Sequence, residues 1–389
     1  MRESVFKVTD SPQKLLDRYV EYGEFTKEDA EIIRKYLSQK VVLTGSLSER
    51  SQIRIIREII VMYRFLPVAE IKDLTTDIIY SKINNVHLSD YKQNTKRALI
   101  LNNKPFWIWL SENNIGDLDS EKLLKIRSVP VDFDTTSPEE ILTPDEILSM
   151  IAHAGSARNR AFITTLYESA GRISEIASLK WRDLVFDEDG IGLWINDFKT
   201  KKNRYVRLID AKPHLLELKN DMARTGKDLR DEFVFQTNRN EPMSYIRFRK
   251  ILQDTALYAG IKKRVHLHLI RKSRITHLSQ DGYSEAIIKQ IAWGNQNTNM
   301  MRTYNKLSHK DIDSETLRRH GLKPMEETET KKLHSTKCIR CGNVITPDQK
   351  FCSHCGLSKS AEFTDAEMSI DPEILAKALK IIMEKKEEL

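Results

Sequence analysis

Between Pro130 and Glu140 the chain turns to proline, threonine, serine and acid with no apolar period. Directly after it, Thr143-Pro144-Asp145-Glu146 supplies an N-cap, a proline at the first helical position and an acid at the third. An aperiodic stretch followed by so strong a helix start does not belong inside one core. It divides the 389 residues into an N-terminal segment, residues 1–129, a linker at 130–140, and a second domain that begins near Ile141. No run of about 20 apolar residues is present, so no membrane span is expected. Met1-Arg2-Glu3-Ser4 opens no apolar signal segment, which points to a cytoplasmic protein.

The first segment reads as a small all-α domain. Thr26 can cap a helix whose apolar residues Ile32, Ile33, Tyr36 and Leu37 recur at helical spacing. A helix from about Glu49 to Leu66 sorts into two faces, a buried one of Ile53, Ile56, Ile60 and Tyr63 and a basic one of Arg50, Arg54, Arg57 and Arg64, with Pro67 as its stop. The basic face suits either solvent or phosphate. Asp90 can cap a further helix carrying Lys92, Lys96 and Arg97, and the aromatics Phe106, Trp107 and Trp109 after Pro105 read as core because they alternate with Ile108 and Leu110.

In the second domain, Gly171 permits a sharp break between two helical patterns and sets Arg172 near a helix N-terminus, where anions are already favoured. Glu175, one turn later, can orient that arginine or serve as a cap. Gly190 to Phe198 and Arg204 to Ile209 read as strands joined by the polar turn Thr200 to Asn203, with Lys199 where the first strand ends. Helical patterns follow at His214 to Met222 and Tyr245 to Tyr258. The basic run from Lys262 to Ser308 then holds His268 and Arg271, three apart on one helical face and able to point at a single anion, followed by Trp293 and Tyr304. Ser308 can cap a last helix running to Arg319, which Gly321 ends, so the domain covers 141–322.

Taken in order, Arg172, Lys199, His268 with Arg271, Trp293 and Tyr304 resemble the tyrosine recombinase (phage integrase) family. Leu166 to Glu175 resembles its first arginine box, and Lys199-Thr200 matches the Lys-Thr pair of its hairpin. Lys201 and Lys202 stand close enough to take the lysine's role, and Tyr283 is a rival for the tyrosine. The gap from Trp293 to Tyr304 is wider than in many members. The nearest likeness is to archaeal integrases, in which Trp replaces a second histidine and a Leu-Ser pair, here Leu307-Ser308, follows the tyrosine.

The resemblance implies a mainly α fold with a small antiparallel β-sheet (α+β), the first segment being a core-binding domain and the second the catalytic domain. It implies a site-specific DNA recombinase or integrase that works through a 3′-phosphotyrosine, a free 5′-hydroxyl and a Holliday junction. Double-stranded DNA and a homo-tetramer on that DNA are the implied partners, with no nucleotide and no catalytic metal. The net charge of +7 permits a polyanion partner. Two alternatives stay open, a type IB topoisomerase-like relaxing enzyme and a catalytically idle DNA-binding protein with a zinc ribbon.

The residues allow that chemistry. A tyrosine of ordinary pKa, about 10, is mostly protonated at neutral pH, so its attack needs nearby positive charge or proton removal. Arg172 and Arg271 each offer a two-pronged donor set to non-bridging phosphate oxygens and to the charge of a pentacoordinate transition state. His268 can donate to the same oxygens or exchange a proton with the nucleophile. Lys199 is suited to protonate the departing 5′ oxygen, and Trp293 offers an indole N–H.

All four cysteines fall in the tail, residues 323–389. Cys338-x-x-Cys341 and Cys352-x-x-Cys355, each followed by glycine, are spaced as a four-thiolate zinc ribbon at 338–356, with structural Zn2+ the expected ion. Four ligands leave no open position for water. From 371 to 389, Ile374, Leu375, Ala378, Leu379 and Ile382 share one face of an amphipathic helix suited to a partner or to solvent.

Overall fold

The computed structural model describes residues 11–64, 70–130, 136–196, 203–319 except 225 and 227, and 335–359 except 343, 348, 353 and 354. The chain divides into two compact units, Phe6–Thr135 and a second that includes Thr136–Leu389. None of the helices searched is long and apolar enough to cross a membrane.

In the first unit the described elements are helices α1 (Pro12–Glu21), α2 (Lys27–Thr44), α3 (Glu49–Tyr63), α4 (Thr76–Leu88), α5 (Gln93–Glu112) and α6 (Ser120–Leu124). Thr26 and Asp29 form a reciprocal capping box at the start of α2. Asp29 does more than cap, because its buried carboxylate also accepts the Ile71 N–H at 2.7 Å. Phe106, Trp107 and Trp109 are buried, with the Tyr36 ring 4.9 Å from Phe106 and 5.4 Å from Trp109. They are core.

Two readings need correction here, the cap of α5 and the end of α3. Asp90 does not cap α5, whose N-cap position is Lys92 with no side-chain hydrogen bond. That helix runs on through Pro105, which lies on an exposed face where water can take the carbonyl that a missing N–H leaves. Arg50, Arg54 and Arg57 on α3 are exposed, as is Arg64 at its C-cap, which also pairs with Glu24 at 2.6 and 2.9 Å. The helix ends at Tyr63, and Leu66 and Pro67 lie outside the described residues.

The second unit places α7 (Pro144–Ala152), α8 (Ala157–Glu168) and α9 (Ile173–Ala177) before a sheet of β1 (Leu184–Phe186), β2 (Ile191–Asn196) and β3 (Asn203–Leu208). The strands run antiparallel in the order β1-β2-β3, with Ile191 opposite Leu208 and Asn196 opposite Asn203. β1 was not foreseen, because three residues are too few to show a period. After the sheet come α10 (Ala211–Ala223), α11 (Tyr245–Tyr258), α12 (Leu267–Gln280), α13 (Glu285–Trp293), α14 (Met301–Tyr304) and α15 (His309–Arg319).

The break before Arg172 is built differently from the expectation. The left-handed residue is Ala170, at φ 46°, and not Gly171. Gly171 is needed for contact, since a Cβ there would lie 2.6 Å from Ile176 Cδ1. Ser308 and Asp311 cap α15 reciprocally, the Ser308 N–H donating to Asp311 at 2.6 Å and the Asp311 N–H to Ser308 Oγ at 3.3 Å.

Beyond residue 334, β4 (Thr336–Lys337) pairs antiparallel with β5 (Val344–Ile345). This small hairpin is seated on the second unit. Ser335 N–H donates to Asp210 Oδ1 at 2.9 Å, and Lys337 reaches Asp189 at 2.9 Å. The proposed helix at 371–389 lies outside the described residues.

Candidate active site

Helix α12 begins at His266, whose ring accepts the Leu269 N–H at 3.1 Å, and this fixes the rotation of the helix. One turn then separates His268, which keeps an exposed edge, from Arg271, which is only 1% exposed. The Arg271 guanidinium donates to the Ala170 carbonyl and, at 2.7 Å, to the Ala292 carbonyl. The first contact ties it to the turn before Arg172, and the second to the end of α13.

Around that guanidinium are the aromatic residues. Its carbon lies 5.3 Å from the Trp293 ring centre and 5.4 Å from that of Tyr304. The Tyr304 ring meets Trp293 edge-on at 5.3 Å and His268 at 5.0 Å. Thr276 on α12 also ties the backbone around the tyrosine, donating to the Tyr304 carbonyl at 3.4 Å and accepting the Lys306 N–H at 3.2 Å. His268, Arg271, Trp293 and Tyr304 thus form one cluster, in which Arg271 Nε and Trp293 Nε1 are buried and have no hydrogen-bond partner among the described residues.

Arg172 occupies the N-cap position of α9. Its Nη1 donates to Glu175 Oε1 and its backbone N–H to Glu175 Oε2, both at 2.8 Å. Glu175 is the buried member of the pair, with 1% of its side chain exposed against 33% for Arg172. The sequence reading missed a third participant, Arg204 on β3. It donates from Nη2 to Glu175 Oε2 at 2.7 Å and from Nε to the Ile291 carbonyl at 2.8 Å. A usable signal was present: strand alternation puts Arg204 on the inward face with Val206 and Leu208, where an arginine is out of place without a partner.

The electrostatics follow from this crowding of cations. Burial, followed by the charges of Arg271, Lys272, His266 and Arg172, pushes His268 down to about 4, so the imidazole is neutral at physiological pH. Burial and Arg172 lower Arg271 to about 10, still protonated. For Glu175, burial alone would raise the carboxyl, but Arg204, the Arg172 N–H and Arg271 outweigh it and hold the group below the usual carboxylate range.

Lys199, with Thr200, Lys201 and Lys202, lies outside the described residues. Tyr283 is 47% exposed, with its backbone N–H on the Leu278 carbonyl, and does not belong to the buried apolar cluster that includes Trp293 and Tyr304.

Gly294 closes α13 at φ 62°, and a Cβ there would stand 2.8 Å from Arg204 Cβ. Gly294→Ala is therefore expected to cost more than about 1 kcal/mol of stability, read as a lower urea midpoint.

In the tail, Cys338, Cys341, Cys352 and Cys355 bring their sulfurs within 4.8 Å of one another. Cys338 and Cys355 are 3.5 Å apart, as are Cys341 and Cys352, and none is in a disulfide. Zinc–sulfur bonds of about 2.3 Å in a tetrahedron require sulfurs about 3.8 Å apart, so the set fits a four-thiolate ion site.

Residues 140–311 match the model of the phage integrase family. A tyrosine recombinase of Pseudothermotoga lettingae is 25% identical over 246 residues, 59% of this chain and 80% of that protein. The tyrosine recombinase XerD of Oceanobacillus iheyensis is 30% identical over 183 residues, 46% of this chain but 59% of the relative's length. The fold is similar to that of the XerH site-specific recombinase in a pre-cleavage complex with its difH substrate. That likeness has a TM-score of 0.54 at 15% identity and covers 82% of this chain and 99% of that one.

Proposed function

We propose that the chain, whose residues 140–311 match the phage integrase model, is a tyrosine recombinase of that family, a site-specific recombinase that cleaves and rejoins double-stranded DNA through a 3′-phosphotyrosine at Tyr304. The observation that carries this reading is the packing of the Tyr304 ring against His268, Trp293 and the Arg271 guanidinium, beside buried donors that lack partners. Such donors suit a group that arrives with oxygen acceptors and negative charge.

In this reading Tyr304 attacks the phosphorus and forms the P–O bond to the enzyme as the bond to the 5′ oxygen breaks. Arg271 and Arg172 bear on the non-bridging oxygens, and Trp293 donates its N–H to one of them. His268, neutral at physiological pH, is able to accept the phenol's proton as attack proceeds. Lys199, which falls between β2 and β3 in the sequence, returns a proton to the 5′ oxygen. Reversal with a second strand's 5′-hydroxyl gives exchange through a Holliday junction. A homo-tetramer on DNA, a cytoplasmic setting, an N-terminal DNA-binding domain at 1–129 and the likeness to archaeal integrases carried by Trp293 and Leu307-Ser308 belong to the same proposal. Covalent capture on a nicked suicide duplex tests the transesterification. Junction formation between two specific sites separates recombination from simple relaxation.

The cysteine cluster is assigned to structural zinc, held by Cys338, Cys341, Cys352 and Cys355. The ion supplies folding energy to a module with little apolar core of its own. Asp210 and Asp189 hold the adjacent hairpin, and the contacts described for Tyr304 run instead to His268, Trp293, Arg271 and Thr276. A chain ending after Thr330 is therefore expected to form the phosphotyrosine link on a nicked duplex at close to the full-length rate, and to assemble two-site complexes less well. Measuring both on one truncated protein checks it; loss of the covalent step with the catalytic domain folded would place the ribbon in the active site.

A further inference from the structure

Glu175 is a buried carboxylate in a site meant for an anion, and such a group competes with DNA for the same arginines. Only 1% of its side chain is exposed, so water does little to satisfy it. Its two oxygens are divided. Oε1 takes the Arg172 side chain, while Oε2 takes the Arg172 backbone N–H and the Arg204 guanidinium. Arg204 is itself only 2% exposed and sits behind the site on β3, where it reaches the carboxylate and the Ile291 carbonyl together. Its Nη1 is buried with no hydrogen-bond partner among the described residues.

We propose that Arg204 is a positioning residue, which neutralises Glu175 from the hairpin side and so leaves the Arg172 guanidinium available to the scissile phosphate. Remove that charge, and Arg172 is left as the side-chain hydrogen-bond partner of Glu175 among the described residues, in a low-dielectric setting where an ion pair is strongest. Arg172 already donates to Glu175 at 2.8 Å and keeps one-third of its side chain exposed, so the carboxylate and an arriving phosphate draw on the same guanidinium. Burial would push the Glu175 carboxyl up, and Arg204 is the largest influence opposing it. The same side chain also steadies the approach to Trp293. Arg204 and Arg271 cap the successive carbonyls of Ile291 and Ala292 at the end of α13, which a helix leaves without internal partners. The inference rests on the reading that Arg172 binds phosphate.

The test uses the full-length protein and single-turnover covalent attachment to a nicked suicide duplex, with DNA affinity and far-UV circular dichroism measured beside it. Arg204→Met, which keeps bulk and removes charge, is expected to slow attachment by about 10- to 100-fold with DNA affinity little changed. Adding Glu175→Gln removes the pull on Arg172 and is expected to restore at least about tenfold of that loss. A role in packing alone predicts no such recovery. Attachment by Arg204→Met at the wild-type rate overturns the proposal, as does a folded double variant with no recovery. Should Arg204→Met fail to fold, the neutral pair decides alone: it supports the proposal by folding and cleaving within about tenfold of wild type, and counts against it by failing either. Tyr304→Phe, run in parallel, separates the two levels, because an adduct formed by that variant overturns the active-site reading whatever Arg204 does.

Discussion

Tyr304→Phe is expected to abolish covalent attachment to DNA while leaving DNA binding and folding nearly intact. The substitution removes one oxygen and keeps the ring, and the ring makes the contacts seen here: 5.0 Å to His268, 5.3 Å to Trp293 and 5.4 Å to the Arg271 carbon. Thr276 holds the loop through backbone atoms, so it is untouched by the change. Without the hydroxyl no nucleophile remains in the cluster, and the loss should be total rather than partial. Adduct formation is scored by gel shift on a nicked duplex under denaturing conditions, and binding under native ones. A persistent adduct would send the search to Tyr283, the exposed tyrosine that follows α12.

Arg271→Ala and Arg172→Ala are expected to slow attachment alike, each by on the order of a thousandfold, if both arginines bear on the same phosphate. Their effects on stability should differ sharply. Arg271 is buried, and its removal strands the carbonyls of Ala170 and Ala292 at about 1–3 kcal/mol each. Arg172 is one-third exposed, and its loss leaves Glu175 still paired with Arg204, so its stability should stay near that of the parent. Urea unfolding of both variants beside single-turnover rates checks the contrast. Equal destabilisation would mean that Arg172 is as structural as Arg271.

How far the sequence leads depends on what carries the signal. Local chemistry is legible: the Thr26 capping box, the Ser308 cap and the span of α11 all follow from short-range rules. His268 and Arg271 were visible as a helical pair, and their meeting with Trp293 and Tyr304 could be expected from a family resemblance. Nothing in the sequence gives the reason for that meeting, which is a set of carbonyls. Ala170 and Ala292 receive Arg271 through their backbones, and any residue offers the same acceptor. Arg204 is harder to read because it stands beside a polar turn, and only strand alternation carried back from Leu208 and Val206 places it inward on β3. Gly171 marks the break in the sequence because glycine permits unusual backbone, yet the residue that turns left-handed is its neighbour Ala170.

The end of α13 has a thermodynamic consequence. Arg271 is compensated mainly by the carbonyls of Ala170 and Ala292, while Arg204 is shared between the Ile291 carbonyl and Glu175, the carboxylate to which Arg172 also donates. The Arg172, Arg204 and Arg271 guanidiniums crowd together in a partly dry setting, where burial and the neighbouring charge of Arg172 work against the charged form of Arg271 and so weaken the folded state. A phosphodiester brings the missing negative charge. Whatever binds the folded form and not the unfolded one adds to its stability by mass action, so the empty enzyme should be the least stable version of itself. With the proposed DNA substrate as that ligand, the melting temperature is expected to rise with occupancy.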